Sequence, residues 1–152
     1  MSEPDAGKRA LELFKKGYHC SQAIFVVGSE HLGKNTPEFI PALAPFGGGM
    51  GGTGDVCGAL IGALSAIGLA MGKGQPDQRD HRSMWSISFK MVKAFHDITR
   101  PYGGYKCMDI VQVDWRDPKQ IRAFRKDPER RAKCHKVIAL TADKLVELLD
   151  RT

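Results

Sequence analysis

A glycine-rich stretch at residues 46–74 constrains the fold of this chain more than any other segment. Ordered glycine costs conformational entropy, so the six glycines between positions 47 and 54 indicate a backbone that turns sharply or approaches a neighbour closely. Small residues then recur every four positions, which predicts a helix with one nearly side-chain-free stripe. Its members are Gly54, Gly58, Gly62, Ala66 and Ala70. Such a stripe admits another backbone or a flat ligand at short distance.

Cys57 lies where the glycine loop enters this helix. Unpaired N–H groups and the helix dipole favour a thiolate there, which is the reactive and metal-binding form of cysteine. We therefore predict that Cys57 is the most reactive thiol, left accessible by its neighbouring glycines. Cys20 has a similar setting, because it begins a helix shortly after Gly17.

The glycine loop is also a candidate cofactor-binding cradle, because glycine N–H groups ahead of a helix can bind anions. The candidate residues are Gly47, Gly48, Gly49, Gly51, Gly52 and Gly54. The loop lacks the lysine signature of a phosphate-binding P-loop and the preceding strand of a dinucleotide fold. Tight helix packing therefore remains the alternative interpretation of these glycines.

The remaining sequence predicts an all-α protein with one domain over residues 1–152. We expect a compact bundle of about five to seven helices, with the glycine-rich loop before a central small-residue helix. Apolar periodicity places helices near residues 5–16, 20–32, 54–71, 78–98, 118–126 and 128–149, with a short turn at 37–43. Thr53 or Gly54 is expected to cap the central helix. Trp85 and Phe89 are expected to broaden the apolar face of the 78–98 helix.

The sequence also indicates the cellular compartment and the chemical state in which the cysteines are used. The early charges do not match a secretory signal, and the most apolar window, residues 56–71, is shorter than the roughly 20 residues of a bilayer span. We therefore expect a soluble, cytoplasmic protein with no membrane span. In a reducing compartment cysteines are more often buried, metal-binding or redox-active than disulfide-bonded. The four cysteines are Cys20, Cys57, Cys107 and Cys134.

The formal net charge of +6 arises within residues 100–136, which hold 11 lysines and arginines against 5 aspartates and glutamates. A basic segment can attract nucleic acid, anionic lipid or an acidic partner protein. A solvated helix face with salt bridges is the plainer interpretation. We do not expect nucleic-acid binding, and we keep an acidic partner protein as an alternative.

Several motifs together resemble a known family. They are YHCSQA at residues 18–23, FGGGMGGTGDVCGALIGAL at 46–64, one cysteine after a Gly-Gly turn, and one in the last helix. They resemble the redox-active protein family C_GCAxxG_C_C, named for a Cys, a Cys-Gly-Ala-x-x-Gly block and two further Cys. Residues 57–62 match the block, and Cys20, Cys107 and Cys134 match the other positions. The resemblance implies a redox role that is itself inferred from the cysteines.

A related domain in the split-Soret type of cytochrome carries an iron–sulfur cluster, so the resemblance also brings an iron–sulfur cofactor into consideration. The sequence has no CxxCH motif, and a covalent c-type haem is therefore not expected. The sequence alone names no cofactor.

Three functions stay open at this point. The first is thiol–disulfide or electron-transfer chemistry centred on Cys57 with Cys20, Cys107 and Cys134, as in an oxidoreductase that meets a redox partner protein or a small-molecule thiol or disulfide. The second is an iron–sulfur cluster or metal held by the same four cysteines. The third is a non-enzymatic helical scaffold that binds an acidic partner through residues 100–136. A homodimer through the bare stripe is a further expectation, and we expect the four cysteines to converge on one site.

Overall fold

Helix follows helix through the computed structural model, which describes residues 5–151. Its seven α-helices in this range are α1 (Ala6–Lys15), α2 (Cys20–His31), α3 (Gly58–Met71), α4 (Met84–Thr99), α5 (Cys107–Val111), α6 (Pro118–Arg125) and α7 (Pro128–Leu149). Short 3₁₀ segments lie at Pro37–Phe39, Pro41–Phe46 and Arg100–Tyr102. Extended pairing over the described residues is limited to one isolated antiparallel bridge, Val56 with Lys106. The predicted all-α class is confirmed.

The long helix α7 forms the centre of the bundle, because the other six helices all pack against it. The apolar periodicity of residues 128–149 predicts an inward stripe, of which four members are buried, namely Ile138, Thr141, Leu145 and Leu148, while its first member, Cys134, is half-buried. Asp127 caps its N-terminus by accepting two backbone N–H groups of the first turn, as the Asp-Pro pair predicts. In the part of the chain that the structure covers, none of the helices combines the length and the hydropathy that crossing a bilayer requires.

Helices α2 and α3 pack more extensively than any other pair, and small residues set their distance. A Cβ atom added at Gly62 would overlap the backbone carbonyl oxygen of Ser21. A Cβ at Gly28 would lie 2.5 Å from the Cβ of Ala66. The bare stripe therefore packs inside the chain, against α2, and this contact occupies the surface that the sequence offered to a second chain.

Helix α3 begins later than the sequence predicts. Its N-cap is Cys57 and its first helical residue is Gly58, so neither Thr53 nor Gly54 caps it. The cause is backbone handedness: residues 48–52 all have left-handed φ values of 64–74°. Glycine adopts this conformation at little cost, and a chain in it cannot continue into a right-handed helix. The prediction that Gly54 belongs to the helical stripe is accordingly wrong.

Helix α4 also begins later than predicted, at Met84 rather than near residue 78. The preceding segment folds back on the end of α3. The N–H of His81 donates to the carbonyl of Met71 at 2.7 Å, and the N–H of Lys73 donates to the Asp80 carboxylate at 2.8 Å. These residues satisfy open backbone groups at the end of α3 instead of starting a new helix.

Two aromatic residues on α4 do not join the core. Trp85 and Phe89 are 74% and 71% exposed, so the prediction that they broaden the apolar face is wrong. The buried face consists of Ile87, Met91, Phe95 and Thr99. Residues two positions away along a helix point to nearly opposite sides, which directs both aromatic rings to solvent.

Replacing Gly62 by alanine should destabilise the protein by about 1–3 kcal/mol, because the new methyl group meets the Ser21 carbonyl. Gly68 is the matched control on the same helix, since a Cβ there meets no atom within 4 Å. Gly68→Ala should leave the free energy of unfolding unchanged or raise it by up to about 1 kcal/mol. Urea denaturation of both variants measures the difference. Equal midpoints would show that α2 and α3 are not in the close contact described here.

Candidate functional site

All four cysteines line one cavity of about 620 Å³, which we call the cysteine cavity. Its walls come from α1, the starts of α2 and α3, the glycine loop, and parts of α5, α6 and α7. The expected convergence of the cysteines is therefore present in the structure. Of the candidate cradle residues, the cavity wall includes Gly47, Gly48, Gly51 and Gly52 but not Gly49 or Gly54.

The close packing of α2 on α3 sets Cys20 and Cys57 side by side. Cys20 is the first residue of α2 and Cys57 is the N-cap of α3, so both thiols lie where a helix begins. The two thiols are close enough that each shifts the pKa of the other. A Cβ at Gly58 would lie only 2.8 Å from the Cys20 sulfur, so the sulfur uses the space that glycine leaves.

The Cys20 sulfur is the favoured site of negative charge. The interaction with the Cys57 thiol is the main cause that holds the pKa of Cys20 below its ordinary value. Burial opposes the shift, while the backbone N–H groups of Ser21 and Gly58 add to it. These N–H groups belong to the first turns of α2 and α3. Two helix N-termini therefore stabilise one thiolate.

Cys57 has the opposite character, and the prediction that its neighbouring glycines leave it accessible is wrong. It is 7% exposed, whereas Cys20 is half-buried. The interaction with Cys20 raises the pKa of Cys57 well above its ordinary value, and burial and the charge of Cys20 raise it further. Cys57 is thus a buried proton donor beside the more accessible Cys20.

A local backbone pairing brings Cys107 to the same cavity. Beside the bridge between Val56 and Lys106, the N–H of Cys107 donates to the carbonyl of Asp55 at 2.8 Å. Cys107 begins the short helix α5, which the sequence did not predict. The indole N–H of Trp115 donates to its sulfur at 3.4 Å, yet burial raises the pKa of Cys107 to about 11.

Cys134 approaches the cavity from the first half of α7. Burial raises the pKa of this thiol far above its ordinary value, so Cys134 is protonated at neutral pH. Its neighbour His135 packs edge-on against Phe14 with 5.6 Å between ring centroids. Burial and the nearby cations Lys15 and Arg131 lower the pKa of His135, so its imidazole is neutral at pH 7. Cys134 and His135 are therefore both uncharged at neutral pH.

Aromatic side chains complete the cavity, and the sequence analysis did not identify them as site residues. Trp115 and Phe124 meet edge to face at 5.4 Å between ring centroids, and Phe14 and Tyr18 also line the cavity. Trp115 lies against the glycine loop, where a Cβ at Gly48 would be 3.2 Å from the indole. The sequence feature that could have pointed to Trp115 is the glycine loop, because backbone without side chains leaves room for a large ring.

The four thiols, as placed, do not form a metal centre. Within residues 5–151, no group of three or more His, Cys, Asp or Glu side chains is arranged to hold a metal ion. An iron–sulfur cluster requires the ligand sulfurs to be gathered around one centre, and the cysteines within the described residues are not arranged in this way. The donor set in this geometry therefore does not fit an iron–sulfur cluster.

Comparison with known proteins agrees with the arrangement of cysteines. A family model described as "Putative redox-active protein (C_GCAxxG_C_C)" matches residues 18–148. The chain belongs to this family. A protein of Archaeoglobus fulgidus titled "Uncharacterized protein" is 35% identical over 81 residues, and the match covers 52% of this chain and 54% of that protein. The chain thus spans about half the length of this curated relative, and no solved structure matches it.

The packing gives the C_GCAxxG_C_C motif a physical meaning in this chain. Gly58 makes room for the Cys20 sulfur, and Gly62 makes room for the Ser21 carbonyl one turn later. Ala59 is fully buried between them. The Gly-Ala-x-x-Gly part of the motif is therefore the surface of α3 that fits the start of α2, and Cys57 is fixed at its end.

Alkylation at graded pH should label Cys20 first, because its pKa is the one held below the ordinary range. Cys107 should label only as the pH approaches about 11, and Cys134 at still higher pH. Iodoacetamide labelling of the folded, reduced protein followed by peptide mass mapping measures this order. Labelling of Cys57 or Cys134 ahead of Cys20 would contradict this order of pKa values.

Proposed function

We propose that this protein is a dithiol redox protein whose active pair is Cys20 and Cys57. The observation that supports this proposal is the placement of the two thiols side by side at the starts of α2 and α3, where the pKa of Cys20 is lowered and that of Cys57 is raised. A thiolate is the nucleophile in thiol–disulfide exchange. Cys20 therefore acts as the attacking sulfur and Cys57 as the resolving sulfur, which reverses the order that the sequence suggests.

The exchange can be written for a small disulfide as oxidant. The Cys20 thiolate attacks one sulfur of that disulfide, forms a mixed disulfide and releases the other sulfur as a thiolate. Cys57 then attacks the Cys20 sulfur, the mixed disulfide breaks, and the second thiolate leaves. The protein loses two electrons and the protons of its two thiols, and the oxidant becomes two thiols. Because the two thiols already lie near enough to shift each other's pKa, the second step needs little movement.

Cys107 and Cys134 have a different part in this proposal. Both line the cysteine cavity as half-buried, protonated thiols, and the indole N–H of Trp115 donates a hydrogen bond to the sulfur of Cys107. They shape the space in front of the active pair and remain reduced during its turnover. This separation into an active pair and two lining thiols is open to direct test.

The other two functions have less support. The geometry of the thiols does not fit a metal centre within the described residues. The basic segment 100–136 forms α5, α6 and the start of α7, which supply walls of the cavity. Part of its charge is paired locally, as Arg116 with Asp114 and Arg130 with Asp127. This placement gives the segment a structural task that needs no acidic partner.

Oxidation of the reduced protein by hydroxyethyl disulfide should produce one intramolecular disulfide between Cys20 and Cys57. Non-reducing peptide mapping identifies the pair, and thiol counting should find two of the four thiols remaining. Cys20→Ser and Cys57→Ser should each abolish this disulfide, whereas the matched variants Cys107→Ser and Cys134→Ser should retain it. A disulfide that instead joins Cys107 to Cys134, or iron bound stoichiometrically after anaerobic purification, would overturn the proposal.

A further inference from the structure

The cysteine cavity has the size and lining of a small-molecule site. Its volume of about 620 Å³ falls within the roughly 300–1,000 Å³ that is usual for bound ligands. Four aromatic side chains share the lining with the thiols: Phe14, Tyr18, Trp115 and Phe124. Aromatic walls favour a flat ring through stacked and edge-to-face contacts.

The charges of the lining limit what this ligand can be. Among the described residues that line the cavity, Arg131 is the one lysine or arginine, it is exposed, and aspartate and glutamate are absent. A peptide disulfide such as oxidised glutathione carries several charged groups that would lose water without gaining partners in this lining. The composition therefore favours an uncharged and largely apolar compound.

Building on the proposed dithiol function, we propose that the cysteine cavity binds a quinone, which serves as the electron acceptor of Cys20 and Cys57. A quinone is flat and uncharged, it suits the aromatic lining, and it accepts the two electrons and two protons that the thiol pair must lose. Its small ring system fits the volume with room for a short apolar substituent.

The redox step balances without any further reactant. The Cys20 thiolate forms a bond to a carbon of the quinone ring, and the ring oxygen takes up a proton. Cys57 then attacks the Cys20 sulfur, the sulfur–sulfur bond forms, and the sulfur–carbon bond breaks with its electron pair moving into the ring. The ring leaves as the hydroquinone, with two electrons and two protons equal to those lost by the two thiols.

Binding can be measured through the two tryptophans, of which only Trp115 lines the cavity. In Trp85→Phe protein, 2,3-dimethyl-1,4-naphthoquinone should quench the emission of Trp115 in a saturable manner. The matched control is Trp115→Phe, which retains Trp85 at 74% exposure and should show only linear, collisional quenching. Both reactive ring carbons of this quinone carry a methyl group, so a thiol can add to one of them reversibly, but the adduct has no ring hydrogen to lose and cannot become a permanent aryl thioether.

Electron transfer is followed anaerobically as loss of thiols and formation of hydroquinone. The quinone should oxidise the reduced protein about tenfold or more faster than hydroxyethyl disulfide at the same concentration, with one hydroquinone for each Cys20–Cys57 disulfide. Ala44→Phe places a ring in the cavity and should slow the quinone reaction about tenfold. Ala42→Phe, at an exposed position of the same 3₁₀ segment, should react like the unaltered protein.

The outcomes separate this inference from the proposed function. If hydroxyethyl disulfide forms the Cys20–Cys57 disulfide but the quinone neither quenches Trp115 saturably nor reacts faster, the quinone inference is wrong and the dithiol function stands. Saturable quenching without hydroquinone formation would overturn the electron-acceptor role. If neither reagent links Cys20 to Cys57, the proposed dithiol function itself fails, whatever Trp115 reports.

Discussion

The close approach of α2 and α3 is the contact on which the rest of the site depends. Gly62 lies under the Ser21 carbonyl and Gly28 lies against Ala66, so neither helix can carry a larger side chain at the crossing. The contact runs from Ser21 and Gly62, near the beginnings of the two helices, to Gly28 and Ala66 further along, so the helices lie side by side with their N-termini next to each other. The thiol pair and its unequal pKa values follow from that placement, because first-turn N–H groups of two helices reach one sulfur.

Long-range contacts complete the cavity around this pair. The bridge between Val56 and Lys106 ties the chain before α3 to the chain before α5, which carries Cys107 to the site. The central position of α7 does the same for Cys134. The protein thus gathers four cysteines that are far apart in sequence without any of them belonging to a local pair motif. The four thiols therefore differ in pKa: one sulfur favours negative charge, and the other three keep their protons.

Periodicity and capping predicted much of this fold because they are local properties. The stripe of α7 and the Asp127 cap were readable from neighbouring residues. The start of α3 was not, because the left-handed run at 48–52 depends on a backbone conformation that glycine permits but does not require. The order of thiol reactivity was missed for a different reason. It depends on which sulfur receives the N–H groups of the other helix, and that contact crosses 38 positions of sequence between Cys20 and Gly58.

The hydrogen bonds to the Cys20 sulfur also bear on the reduction potential of the proposed couple. They stabilise a thiolate, which exists only in the reduced protein, and a disulfide gains nothing comparable from them. Anything that lowers the free energy of the dithiol form relative to the disulfide makes the couple more oxidising. Burial of Cys57 has the opposite effect on the couple, because it disfavours a second thiolate in the reduced protein. The place where the two helices begin side by side therefore influences how readily the thiol pair gives up electrons. The backbone N–H of Gly58, at a position where packing requires glycine, contributes to this influence.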